Sequence, residues 1–250
     1  MKIIAITQAR MGSTRLPGKV LKEINGISLL KIHFDRVSKS KLISSHILAT
    51  SNNTSDDILV DYAKQNQITC FRGDENNVLE RFIECLNNYK NIDFVVRLTA
   101  DCPLIDPIVI DECIKLIIET KVDYVSNCIE PTFPDGIDVE VFNYKSLLIA
   151  SENAKLNSEK EHVTPYIWKN SNLKGGSIFS ALTLKNNIDY SYIRLTVDEP
   201  NDLIVVNELI NKFGLHQPWL IYANEIIKNG NVINQSIARN EGYQKSIKKD

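Results

Sequence analysis

The sequence has no excess of either charge: 29 lysines and arginines stand against 31 aspartates and glutamates, a net of −2. Without a basic excess it carries no electrostatic footprint for nucleic acid, and without an acidic block no solvating tail. Long apolar runs are missing as well. No stretch approaches the ~20 residues of a spanning helix, and the apolar run from Ile3 to Ile6 is too short for a secretory core. Membrane insertion and secretion are therefore not expected, and a cytoplasmic location is. The five cysteines (Cys70, Cys85, Cys102, Cys113 and Cys128) are odd in number and never spaced C-x-x-C. That argues against zinc and dithiol chemistry and for buried free thiols in a reducing compartment. Gly/Ser-rich and Pro-rich linkers are absent, as are internal repeats, so a single domain is expected over residues 1–250.

What is present is ordinary globular material, 43% hydrophobic and 24% charged, enough for a sizeable core. Short β-branched or aromatic runs at 2–7, 45–50, 67–71, 93–98 and 122–126 read as strands buried on both faces. Helical patterns at 28–39, 56–65, 77–89 and 107–120 lie between them. This alternation predicts an α/β fold with a mainly parallel, doubly wound sheet. The second half is less regular. A strand at 138–143, helices at 144–154 and 159–169, a strand pair at 176–183 and 191–197, and helices at 201–213 and 217–228 are expected. Residues 229–250 are polar and Lys-ended, which predicts a surface arm.

The first strand runs into QARMGSTRLPGK, residues 8–19. Loops at the carboxyl ends of strands in an open α/β sheet are where ligands bind. Gly12 and Gly18 allow backbone N–H groups close to an anion, and Arg10, Arg15 and Lys19 concentrate positive charge within ten residues. By composition this is a triphosphate cradle, with a basic surface turn as the competing reading. It is not a Walker A loop, because five residues separate the glycines and Val20 stands where a Ser or Thr would hold magnesium. No G-x-G-x-x-G fingerprint is present either.

Two carboxylates join this loop at the rim. Asp101 lies just past the fourth strand, where a hard oxygen ligand can take Mg²⁺; Asp106 before Pro107 reads as a helix N-cap. Asp198 likewise ends a strand before a Pro-containing helix start, with capping as its alternative role. Asp202, in the first helical turn, is read as complementing the helix dipole. Arg72 opens a polar cluster after the third strand. Asp135, Asp138 and Glu140 combine a turn with carboxylates alternating on one strand face, and His162 sits on a helix, where a structural role competes with catalysis.

The segment QARMGSTRLPGKVL resembles the signature of the CMP-sugar-acid synthetases, the cytidylyltransferases that activate acylneuraminate and 3-deoxy-manno-octulosonate. The blocks FRGDENNVLERF, VVRLTADCPLIDP, DYVSN, FPDGIDVEVF, EHVTPYI, IRLTVDEPNDL and NEGYQKSIKKD extend the similarity over nearly the full length, closest to the spore coat polysaccharide biosynthesis protein F branch. Gln8 stands where the better-known synthetases usually show Pro, and DGIDVEVF replaces their acceptor-side motif, which puts the acceptor in doubt.

The resemblance implies a nucleotide-diphospho-sugar transferase fold of the GT-A-like Rossmann type. Residues 1–126 would form the nucleotide-binding half, and 127–228 the acceptor-side half that completes the metal site. It also implies transfer of CMP from CTP to a sugar-acid hydroxyl with release of pyrophosphate. By position, Ala9, Arg10, Gly12, Ser13, Lys19, Thr99 and Asp101 would hold the nucleotide, Arg72 would read cytosine, and Arg10, Lys19 and Asp101 would be catalytic. Asp101 and Asp198 would bind Mg²⁺, with Mn²⁺ as a substitute. Asp135, Asp138, Glu140 and His162 would face the acceptor. CTP and the acceptor are the expected partners, with no nucleic acid, no membrane and room for a homodimer. The rival readings are a GT-A glycosyltransferase, against which the Asp135-Gly136-Ile137-Asp138 spacing is one residue too long for Asp-x-Asp, a nucleotidyltransferase with another sugar or phosphorylated acceptor, and a non-catalytic nucleotide-binding module.

Overall fold

The computed structural model describes residues 1–230 and 239–250. β1 (Ile3–Gln8) is buried on both faces, and its alternation sends Ile3 and Ala5 into one core and Ile4 and Ile6 into another. A hairpin of β2 (Glu23–Ile24) and β3 (Ile27–Ser28) succeeds the first loop, and the Ser28 hydroxyl caps α1 (Leu29–Val37). Then come β4 (Ser45–Ser51), α2 (Asp57–Gln65), β5 (Thr69–Gly73), α3 (Val78–Leu86), β6 (Phe94–Thr99) and α4 (Pro107–Thr120). The second half contains β7 (Tyr124–Ser126), β8 (Glu140–Asn143), α5 (Tyr144–Asn153), α6 (Asn157–His162), α7 (Pro165–Lys169), β9 (Ala181–Thr183), α8 (Pro200–Phe213), α9 (Trp219–Asn229) and α10 (Glu241–Ile247).

The main sheet has the order β5-β4-β1-β6-β8-β7-β9. β5, β4, β1 and β6 run parallel, β8 is antiparallel to β6 and β7, and β7 is parallel to β9. Helices cover both faces. α4, α8 and α9 pack on the side of Ala5 and Val96, while α3, α5 and α7 pack on the side of Ile4 and Val95. In α3 the buried stripe Val78, Leu79, Phe82, Cys85 and Leu86 holds helical spacing, and burying each large side chain contributes about 1.5–3 kcal/mol. All five cysteines are free, and burial pushes the Cys85 thiol up to about 12. Among the described residues, no helix is long and apolar enough to cross a membrane.

Three second-half expectations change. The helix expected over 159–169 is two helices, α6 and α7, broken where buried Val163 takes φ 70 and where Pro165 has no N–H to continue the ladder. The strand pair over 176–183 and 191–197 shrinks to β9. Residues 191–197 alternate in burial like a strand, but they carry only an isolated bridge between Arg194 and Asp135, because their backbone partners belong to loops. Part of the expected surface arm, 231–238, lies outside the described residues. The rest, 239–250, docks on α6 instead of extending into solvent, through the bonds of Ser246 to Glu161 and of Ser158 to Asp250.

Candidate active site

Three loops meet at the carboxyl ends of β1 and β6, which pair side by side up to Gln8 and Thr99. The first loop, after β1, is shaped by its own backbone. The Ser13 and Gly18 N–H groups both donate to the Met11 carbonyl, at 2.9 and 3.3 Å. Gly18 sits at φ 66, where an L side chain is strained, and opens a 3-10 turn over Lys19–Leu21. Buried Asp56 anchors the loop from outside, accepting from the Met11 N–H at 2.7 Å. In the sequence Asp56 reads as no more than part of an acidic first turn.

The second and third loops carry the aspartates and are stitched together through backbone. The Asp101 carbonyl accepts from the Val197 N–H at 2.8 Å and the Thr196 hydroxyl at 3.0 Å. The Asp135 carbonyl accepts from the Leu195 and Thr196 N–H groups, at 2.6 and 3.1 Å. Gly136 makes that approach feasible: its φ is 103, and a Cβ there would lie 2.4 Å from the Thr196 nitrogen.

Lys19 reaches into the centre. Its ammonium donates to Asp101 Oδ2 and Asp198 Oδ1, both at 2.8 Å, with only 12% of the side chain exposed. Burial alone would lower this ammonium, but Asp101 and Asp198 outweigh burial and hold it well above its ordinary value. Burial likewise works against the Asp101 carboxylate, and Lys19 overcomes it, drawing Asp101 well below the usual range. Asp198 also meets Arg15 at 3.0 Å and Arg194 at 3.3 Å. Neither aspartate caps a helix. α8 is capped by Asp202, which accepts from the Asp198 and Glu199 N–H groups at 2.9 and 3.0 Å and pairs with Arg194.

Two cavities open around this centre. One, of about 410 Å³, is lined by Ala9, Arg10, Gly12, Ser13, Lys19, Thr99 and Arg81. The other, of about 310 Å³, is lined by Asp135, Asp138, Glu140 and His162. Asp101 and Asp198 border both, together with Gln8, Arg15, Thr99 and His162. The two carboxylates therefore stand where a group in one cavity would meet a group in the other.

A family model described as cytidylyltransferase matches residues 4–225. The chain belongs to the cytidylyltransferase family. The enzyme is similar to the spore coat polysaccharide biosynthesis protein SpsF of Bacillus subtilis, 35% identical over 217 residues covering 85% of this chain and 88% of the relative. It is also similar to a cytidylyltransferase structure from Leptospira borgpetersenii, 33% identical with a TM-score of 0.86, covering 96% of this chain and 100% of the other. A CMP:2-keto-3-deoxy-manno-octonic acid synthetase solved with CTP shares the fold at a TM-score of 0.63, with 15% identity over 85% of this chain and 99% of the other.

Within this cytidylyltransferase the sequence-predicted residues are not equally placed. Ala9, Arg10, Gly12, Ser13, Lys19, Thr99 and Asp101 come together at one cavity. Arg72 does not join them. Its guanidinium is spent on the Ser51 and Asn53 carbonyls and the Asp57 carboxylate, at 2.9, 2.8 and 2.6 Å, bracing the loop after β4. One turn into α3, Arg81 lines that cavity instead, and its Nε makes no hydrogen bond. Burial lowers Arg81 to about 10. A Cβ on Gly73 would strike its aliphatic stem, so that glycine makes room for it. The sequence signal was NVLERF, where Arg81 sits at helical spacing from the apolar stripe.

In the smaller cavity, Glu140 is already occupied: Arg97, Tyr124 and Thr164 all bond its carboxylate. Asp138 is held by Arg239 and Asp135 by Arg194, the latter at 2.7 Å. Burial and then Asp138 push the Asp135 carboxyl up. His162 is lowered to about 4 by burial and then by Arg97, so its ring is neutral at pH 7.

Proposed function

We propose that the enzyme transfers CMP from CTP to a hydroxyl of a sugar acid, nonulosonic or related, releasing pyrophosphate in the cytoplasm for surface polysaccharide synthesis. The observation that carries this reading is the position of Asp101 and Asp198 at the border shared by a basic cavity and an acceptor-sized one. The acceptor hydroxyl gives up its proton to water as its oxygen attacks the α-phosphorus, a new P–O bond forms, and the bond to the β-phosphate breaks with its electrons leaving on pyrophosphate. Arg10, Arg15, Lys19 and Arg81 on the nucleotide side balance the charge of the triphosphate and of the departing pyrophosphate. Holding both reactants across one border supplies the proximity term.

The donor set fits a divalent cation. Two hard carboxylates converge on one cationic centre, the Lys19 ammonium at 2.8 Å from each, and Mg²⁺ is commonly held by one or two carboxylates plus substrate phosphates. Asp101 and Asp198 would hold it. When bound, Mg²⁺ or Mn²⁺ polarises phosphoryl oxygens and neutralises charge. The similarity to SpsF, whose name refers to spore coat polysaccharide biosynthesis, supports the biological setting.

One observation favours a second reading, a sugar acceptor without a carboxylate. Arg97, Arg194 and Arg239 on the acceptor side are each already paired, to Glu140, Asp135 and Asp138 respectively. The discriminating experiment tracks pyrophosphate release from CTP, UTP, ATP and GTP, with and without chelator, against a panel of nonulosonic acids and neutral sugars. CTP- and metal-dependent release with a sugar acid is expected. Release only with neutral sugars would replace the acceptor, and equal use of all four nucleotides would refute the base preference.

A further inference from the structure

The last residues of the chain lie beyond the stretch that the family model matches, 4–225, yet they border both cavities. They are firmly docked. Ser246 Oγ donates to Glu161 Oε2 at 2.7 Å, and the Ser158 N–H donates to Asp250 Oδ1 at 2.9 Å. Tyr243 sets its ring edge-on to His162 and Trp168, with centroids at 5.2 and 5.8 Å. Ahead of the helix, Arg239 donates to the Phe133 carbonyl at 2.9 Å and to Asp138.

The charges on this segment are arranged around the nucleotide side. Lys245 and Lys249 line the cavity that also holds Lys19 and Arg81. Glu241 takes Arg15 at 3.1 Å and Lys245 at 2.7 Å, and the Arg15 guanidinium also meets Asp198 at 3.0 Å and Glu199 at 3.8 Å. Arg15 belongs to the loop whose other cations, Arg10 and Lys19, line that cavity, so Glu241 and a polyphosphate are alternative partners for one side chain. A partly exposed carboxylate holds an arginine weakly, whereas phosphate oxygens offer a bidentate, charge-assisted partner.

We propose that residues 239–250 form a working wall of the nucleotide site: Lys249 meets the polyphosphate, and Arg15 and Lys245 exchange Glu241 for it when nucleotide enters. This rests on the CTP reading above. Glu241 is then a positioning residue that restrains Arg15 in the free enzyme and opposes binding.

The sign of that opposition is the test, made by titrating Mg²⁺–CTP into the full chain by calorimetry without an acceptor. Glu241→Gln should lower the CTP Kd about two- to fivefold, because phosphate no longer competes with Glu241 for Arg15 and Lys245. Lys245→Ala/Lys249→Ala should raise it about three- to tenfold, and the gap from wild type should narrow as salt is added. Thermal melting of each variant separates these effects from unfolding, since a purely structural helix would not bind nucleotide more tightly on losing Glu241. Unchanged or weaker binding by Glu241→Gln overturns the exchange, and unchanged binding by the double lysine variant overturns the wall. If wild type binds CTP and the variants match it, only this inference falls. If wild type binds no CTP, the functional reading falls with it.

Discussion

At the scale of single residues, the decisive contact is an ammonium between two carboxylates. Lys19 is 2.8 Å from both Asp101 and Asp198, and neither aspartate is engaged in capping. Asp101→Asn and Asp198→Asn keep the side-chain shape and lose no cap, and because Lys19 keeps the other carboxylate each should cost about 1–3 kcal/mol in denaturant unfolding. They should nevertheless lose on the order of 4 kcal/mol of transition-state stabilisation, about a thousandfold in turnover, recovered in part by raising magnesium. Near-normal turnover in either variant would remove that residue from the metal site. Lys19→Ala gives a complementary readout. Without the ammonium Asp101 loses its ion-pair partner while Asp198 keeps Arg15 and Arg194, so the variant should melt below wild type in chelator. Magnesium should then raise its melting temperature by more than it raises that of wild type, because the ion replaces the lost charge. Equal magnesium shifts in both proteins would mean that the aspartates do not share a cation.

Elements matter here through their ends. β1 and β6 stop side by side, and the chemical groups sit in the loops beyond those ends. The segment 191–197 alternates Ile193, Leu195 and Val197 inward, as a strand would, and the sequence pattern reads it so. Its hydrogen bonds instead tie the loops of Asp101 and Asp135 together, which no periodicity can reveal. The hinge of that arrangement is Gly136. Gly136→Ala would put a Cβ 2.4 Å from the Thr196 nitrogen at φ 103, so it should cost about 3 kcal/mol or more in chemical unfolding. Activity should fall further than stability explains, because Asp135 and Asp198 would separate. A variant as stable and active as wild type would show that the loop relaxes without consequence. The break between α6 and α7 has the same character: Pro165 is visible in the sequence, but the turn at Val163 that lets both His162 and Thr164 border the smaller cavity is not.

The whole molecule titrates through its core as well as its site. Thr7 Oγ1 lies 2.8 Å from His33 Nε2 and 2.7 Å from His46 Nε2, and His33 Nδ1 donates to the Cys102 carbonyl at 2.9 Å. Burial lowers His33 to about 4 and His46 well below its ordinary value, so the native state refuses protons that the unfolded chain accepts. Stability should therefore be full above the unfolded histidine value and fall as pH drops from about 6.5 towards 4, with about 3 kcal/mol at stake for His33 alone. Denaturant unfolding at successive pH values checks this, and a flat profile between about pH 7 and 5 would contradict it. Strand–helix alternation, the glycine-containing basic loop after β1 and the position of two aspartates at strand ends were all determined by the sequence, because periodicity, glycine placement and charge density are local properties of a chain. The pairing of Lys19 with residues 82 and 179 positions away was decided by tertiary structure. So were the placement of Arg81, and not Arg72, at the larger cavity and the docking of residues 239–250 beside it. Each depends on which hydrogen-bond partners the fold has already used elsewhere, and that is a property of the packed molecule alone.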